Sequence, residues 1–291
     1  MYSEIAKNKR KTWLIIGIFA VIIGSLGWII GTLYGTPLFF YLALVIAGVY
    51  VVIQYFGAAK LALSMNGARQ VTKKEEPRLY RTVENLSIAT GMPMPKVYVI
   101  EDRALNAFAT GRDPNHAVVA ATRGLLDAMD DSELEAVMAH EMGHVKNYDI
   151  RVMMIVFGLV SAVGIIADLI LYTFILGNNG GRNIHPAFMI LALVAAILAP
   201  LAAMLVQFAV SRRREYLADS TGALTTRYPE GLARALEKIS NQGSTMKKQH
   251  TATAHLFFAN PLKGGSMAKL FSTHPPVEDR VERLRKMGTH A

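Results

Sequence analysis

The chain contains no cysteine. That removes disulfides and thiolate metal ligands together, so any bound metal has to be held by histidine and carboxylate. Acidic residues are scarce as well: 22 Asp and Glu stand against 31 Lys and Arg, a formal net charge of +9. Long stretches lack charge of either sign. Trp13 to Leu33, Leu38 to Ala59 and Pro186 to Val210 carry none, and Val152 to Leu176 carries only Asp168. A bilayer-spanning helix needs about 20 apolar residues, and core helices of soluble domains rarely stay apolar on every face for that length. With 52% hydrophobic residues and a mean hydropathy of +0.28, the chain is expected to be a mainly α membrane protein with four transmembrane helices. The basic excess has no nucleic-acid motif or aromatic platform beside it, so no nucleic-acid partner is expected.

The first apolar run is too long for a signal peptide, and no small-x-small cleavage site closes it. A retained anchor is expected. Lys7, Lys9, Arg10 and Lys11 precede this span, and Arg212, Arg213 and Arg214 follow the fourth. Basic flanks lie on the cytoplasmic side of a bacterial inner membrane. The expected layout is therefore a transmembrane hairpin over 1–59, a cytoplasmic inset over 60–150, a second hairpin over 151–210 and a second cytoplasmic inset over 211–291. The last of these has twice as many basic as acidic residues, a balance suited to an anionic leaflet of the lipid bilayer.

Within the insets, Glu75 to Ala89 reads as an amphipathic helix ended by Gly91 and Pro93. Lys96 to Ile100 reads as a strand, as do Asn106 to Thr110 and His116 to Ala121 on either side of a run of turn residues. Asp130 or Asp131 caps an amphipathic, polar helix reaching about Lys146. Arg214 to Ala223, Glu230 to Ser240 and Glu278 to Lys286 read as helices, and Asn241 to Gln249 as a loop.

The decisive pentad is His140-Glu141-Met142-Gly143-His144. Residues four apart share one face of a helix, so both imidazoles can grip one zinc ion while Glu141 reaches a water beside it. A catalytic zinc takes a third protein ligand from another element and keeps one position open. Downstream candidates are Asp149, Asp168, His185, Glu215, Asp219, Glu230, His250, His255 and His274. Glu215 suits best, because Asp219 follows one helical turn later and can accept the free ring N–H of a ligating histidine. On spacing alone, a solvated helix face beside three arginines is the commoner reading of such a pair.

The pentad, Glu215-x-x-x-Asp219 and Ser272-Thr-His-Pro-Pro276 together resemble the HtpX-type membrane zinc metallopeptidases, bacterial relatives of the CAAX prenyl endopeptidase. The likeness spans nearly the whole chain. It implies an α+β zincin (gluzincin-like) catalytic domain assembled from the two insets, one Zn2+ per chain held by His140, His144 and Glu215, and Glu141 as general base and acid. It implies that His274 and Arg280 stabilise the oxyanion, that Asn106, Ala107, Phe108 and Ala109 receive the substrate as an added strand, and that membrane proteins are the substrates, in quality control. Without the resemblance, His274 reads as a residue at a helix entry and Asn106 to Ala109 as an ordinary hairpin strand.

Continuous helices from the pentad into span three and from span four to Glu215 would set the metal roughly 10 Å from the membrane face. Cleavage is then expected in cytoplasmic loops or tails. A protease cutting within the bilayer is disfavoured by Glu133, Glu135, Lys146 and Asn147 around the pentad. A non-catalytic metal carrier or adaptor is the other alternative, and it would leave Glu141 idle. Asp168 is a functional candidate by its place in a span, or lies near the outer interface.

Overall fold

The structure is a computed structural model that describes residues 2–33, 35–162, 212–262 and 274–288. The third span is covered only to residue 162 and the fourth, with Asp168 and His185, lies outside the described residues.

Helices α1 (Tyr2–Leu33) and α2 (Leu38–Met65) form a hairpin. They approach closely because Gly27 has no side chain: a Cβ there would stand 2.6 Å from that of Ala43. Among the described residues, α2 is the helix long and apolar enough to cross a membrane, with a mean hydropathy of 2.1. Trp13, Val21, Trp28, Val45 and Ile46 are each more than half exposed on the outside of the hairpin.

Next come β1 (Ala68–Gln70), α3 (Pro77–Thr90), β2 (Lys96–Ile100), β3 (Ala107–Gly111) and β4 (Ala117–Thr122). Helix α3 starts later than the sequence pattern suggests. Pro77 lacks an N–H and suits the first helical position, and the Glu75 carboxylate accepts from the Thr72 N–H at 2.8 Å, closing a turn instead. The sheet runs β1-β2-β4-β3, with β2 parallel to β4 and the outer pairs antiparallel. Strand β3 is thus an edge strand, yet every residue of β3 and β4 is buried. Gly111 closes the β3–β4 connection at φ 141, where a Cβ would meet the His116 carbonyl oxygen at 2.4 Å.

Helix α4 (Arg123–Ala128) leads into α5 (Asp131–Lys146), which carries the pentad. Asp130 caps α5 in a reciprocal box: its Oδ1 accepts from the Glu133 N–H at 2.9 Å, and Glu133 accepts from the Asp130 N–H at 2.8 Å. Contrary to the amphipathic expectation, α5 is buried from Glu133 to Val145 except at the half-buried Glu135. It is the central helix of this layer, with the sheet on one side and helices around it. Glu133 tolerates burial because Lys238 reaches it at 2.6 Å.

Helix α6, over 149–162, packs Val152, Ile155, Val156 and Leu159 against Ile15 and Phe19 of α1 and Ala47 of α2. After the undescribed stretch come α7 (Arg212–Thr226), α8 (Pro229–Gln242), the single turn α9 (Thr251–Ala254) and α10 (Val277–Gly288).

Candidate active site

Helices α5 and α7 cross at very short range. A Cβ on Gly143 would lie 3.5 Å from the Ala218 Cα, and one on Gly222 would lie 3.0 Å from the His140 backbone nitrogen. This closeness brings Glu215 and Asp219, one turn apart on α7, to His140 and His144, one turn apart on α5. The two imidazole Nε2 atoms are 3.2 Å apart. Glu215 Oε2 is 3.8 Å from His140 Nε2, and Oε1 is 3.6 Å from His144 Nε2. All three side chains are buried, and one donor atom from each lies within 4.8 Å of the others, so the group could hold a metal ion.

Each imidazole is aimed by an acid on its far nitrogen. His140 Nδ1 lies 2.9 Å from Asp219 Oδ1, close but outside good hydrogen-bond alignment. His144 Nδ1 bonds Asp149 Oδ2 at 3.0 Å. Such partners fix ring orientation and make the inward nitrogen the ligand. Asp219 is itself gripped by Arg280 through two bonds of 2.9 and 2.6 Å. Arg280 is buried and stacks on the Phe258 ring at 5.0 Å. His274 Nδ1 is 2.8 Å from Glu215 Oε2, and its Nε2 is 2.8 Å from the carbonyl of Phe257.

The remaining ligand candidates lie elsewhere. His250 Nε2 is 3.1 Å from the Met65 carbonyl, His255 Nε2 is 3.0 Å from the Met153 carbonyl, and Glu230 pairs with Arg285.

Glu141 points to the sheet side, where its carboxylate lies near the Ala109 backbone N–H on β3. The same edge is engaged further back by the chain itself. The Phe258 N–H donates to the Ala107 carbonyl at 2.8 Å, and Phe108 and Phe257 form a bridge. The Asn106 side chain donates to the Ala259 carbonyl at 2.7 Å and accepts from the Ala259 N–H at 3.1 Å. Asn106, Ala107 and Phe108 are therefore occupied by residues 257–259. Nothing in the hydropathy of Phe257-Phe258-Ala259 sets it apart from a core segment, so sequence reasoning missed this pairing.

Charge supports the fit to a metal. Four buried carboxylates, on Glu141, Asp149, Glu215 and Asp219, face two buried arginines, Arg214 and Arg280. The two negative charges left over match one divalent cation. Protons meet this excess in the metal-free chain. For His144, burial works against protonation, but the Asp149 bond and the charges of Glu215 and Glu141 outweigh it and raise its pKa to about 9. Burial, reinforced by Glu215, raises Glu141 to about 7 although His144 pulls the other way. Burial lowers His140 to about 4 despite Asp219. His144 then donates its Nε2 proton toward neutral His140, along the line where a metal would sit.

A metal must expel the proton from its ligand His144. Its affinity is therefore expected to fall with acidification, about tenfold per pH unit below pH 9. Chelator competition between pH 9 and 7 measures it. A flat profile contradicts the assignment of a proton to His144.

A model of peptidase family M48 matches residues 73–288. The chain is 55% identical over 288 residues to a Protease HtpX homolog of Tropheryma whipplei (strain Twist), covering 99% of both proteins. It is 45% identical to the homologue of that name from Dictyoglomus thermophilum, covering 99% of this chain and 95% of the other. For Streptococcus thermophilus the identity is 42%, over 99% of this chain and all of the other. The crystal structure of S. mikatae Ste24p aligns with a TM-score of 0.52 at 20% identity, covering 98% of this chain and 67% of that one. At that identity the likeness speaks for the fold alone. The chain belongs to peptidase family M48 and is a metalloprotease.

Proposed function

We propose that this metalloprotease is a zinc endopeptidase anchored in a bacterial cytoplasmic membrane, cutting cytoplasmic segments of misfolded membrane proteins as part of their quality control. The observation that carries the reading is the convergence of His140, His144 and Glu215 with a fourth acid, Glu141, beside them. Two imidazoles and one carboxylate are the donor set of a hydrolytic zinc centre. When bound there, zinc polarises the scissile carbonyl and makes water acidic enough to react near neutral pH.

The chain's own residues do the rest. Glu141, buried and raised toward neutrality, takes a proton from the attacking water and delivers it to the leaving amine as the carbon–nitrogen bond breaks. His274 already donates to a peptide carbonyl, that of Phe257, and the same N–H stabilises the substrate's oxyanion. Arg280, committed to Asp219, acts through that acid on His140. The substrate strand adds along the outer edge of β3 at Ala109 to Gly111, continuing past Asn106 to Phe108, where residues 257–259 are seated. A metal carrier leaves Glu141 without a task, and family membership decides against it.

The membrane reading rests on the exposed apolar face of the α1–α2 hairpin, a surface too large for water to tolerate. Spans at about 13–33, 38–59, 152–176 and 186–210 put the N-terminus and both insets in the cytoplasm. Cysteine labelling tests this cleanly, since the native chain has none. A Cys at position 179 is expected to react with an impermeant reagent added outside the cell, and one at position 243 to stay protected. The reverse pattern overturns the orientation.

The enzymatic reading demands a split between two kinds of variant. Glu141→Gln is expected to keep zinc and lose at least about 10²-fold in rate, the usual share of general-base catalysis. His140→Ala and Glu215→Ala are expected to lose zinc and activity together. Metal analysis beside a peptidase assay on a membrane-protein substrate reads both. Cleavage by Glu141→Gln at the parent's rate refutes the mechanism, and full zinc occupancy in Glu215→Ala removes Glu215 from the site.

A further inference from the structure

Among the described residues, Asp149 is the one hydrogen-bond partner of a metal-ligand imidazole that lies in neither α5 nor α7, and the structure shows what steadies it. The Nδ2 of Asn8, on α1, donates to Asp149 Oδ1 at 2.7 Å and to the Asn147 carbonyl at 2.8 Å. Asn8 is 2% exposed, and its own carbonyl accepts from Thr12 Oγ1 one turn on. One carboxylate thus receives His144 on Oδ2 and Asn8 on Oδ1, with Arg214 Nε 3.6 Å from the latter. An amide from the first helix of the chain is two hydrogen bonds away from a metal ligand 136 residues later.

The backbone between His144 and Asp149 is under tension. Tyr148 adopts φ 61, a left-handed conformation that residues with a Cβ avoid. This kink, between the last turn of α5 and the first of α6, is what returns Asp149 to face His144. Strained positions persist only where their surroundings hold them, and they cluster at functional sites. Here α1 supplies part of the hold. Lys9, next to Asn8, lies 4.8 Å from the centre of the Tyr148 ring, and Arg151 lies 4.9 Å from it. Asn8 binds the residues on both sides of the kink.

We propose that Asn8 is a positioning residue for the metal site. The N-terminal helix is then more than an anchor: through Asn8 it locks the Asn147–Asp149 turn and so fixes the rotamer and tautomer of His144. This rests on the metal-site reading above and extends it to a part of the chain outside the span matched by the family model.

The test is zinc affinity by chelator competition on the full-length protein in detergent, with cleavage kinetics beside it. Asn8→Ala, and Asn8→Leu, which fills the same space without a donor, are expected to weaken zinc binding about 10–100-fold, the usual effect of losing a support of a metal ligand. At saturating zinc, kcat is expected to fall while KM stays near the parent value, because Asn8 touches no substrate. Asp149→Ala is expected to weaken binding at least as much. In the Asp149→Ala background, adding Asn8→Leu is expected to change nothing further, since its route to His144 is already cut. Parental zinc affinity in Asn8→Leu, or effects of Asn8→Leu and Asp149→Ala that multiply in the double variant, overturn the proposal. Glu215→Ala, measured alongside, keeps two failures apart. If it too binds zinc like the parent, the metal site itself is misassigned; if it loses zinc while Asn8→Leu does not, only the role of Asn8 falls.

Discussion

The distance between α5 and α7 governs everything built around it. Gly143, Ala218 and Gly222 form their contact, and a Cβ at Gly222 would press to 3.0 Å from the backbone of His140 itself. Only residues this small let a glutamate, with its short reach, bring its carboxylate within 4 Å of both imidazoles. A single extra methyl group at the contact would move Glu215 by a few tenths of an ångström, a large fraction of the tolerance of a coordination site. The sheet, the capping box at Asp130 and the burial of α5 serve to hold one side of this crossing still. Helix α10, through Arg280 and Asp219, holds the other.

Electrostatics explains why the site is so densely braced. Burying four carboxylates is costly unless each is paired, and three have a specific partner: Arg280 for Asp219, His274 for Glu215, Asn8 and His144 for Asp149. The partners that orient the ligands also lower the cost of burying them. The surplus of two negative charges matches the charge of one divalent cation.

Much of this was legible in the sequence where the information is local. The pentad fixes two imidazoles on one helical face regardless of the fold around it. Lys96–Ile100 is a strand by its β-branched residues and was found at those boundaries. Asp130 and Glu133 announce the start of α5. Non-local features were harder to read. Three-residue β1 exists only because β2 offers it a partner, with Ala68 opposite Ile100. The polar look of α5 hid how deeply it is buried, because Glu133, His140, Glu141 and His144 face polar groups of other elements rather than water. Glu215 stood out among nine candidates through Asp219 one turn later together with the family resemblance, whereas the link from Asp149 to His144 depends on a backbone kink at Tyr148 that no residue preference predicts. The pairing of Phe257 to Ala259 with β3, and the arrival of Asn8 from α1, depend on tertiary packing alone.

The central claim is that two imidazoles and one carboxylate, drawn together by the α5–α7 crossing, hold one metal ion. X-ray absorption spectroscopy of the zinc-loaded protein tests it most directly, because imidazole rings scatter in a way that allows them to be counted. The account predicts one zinc per chain with two imidazole nitrogens and oxygen ligands at about 2.0–2.2 Å. A shell of three imidazoles, with His274 taking the place of Glu215, would contradict it.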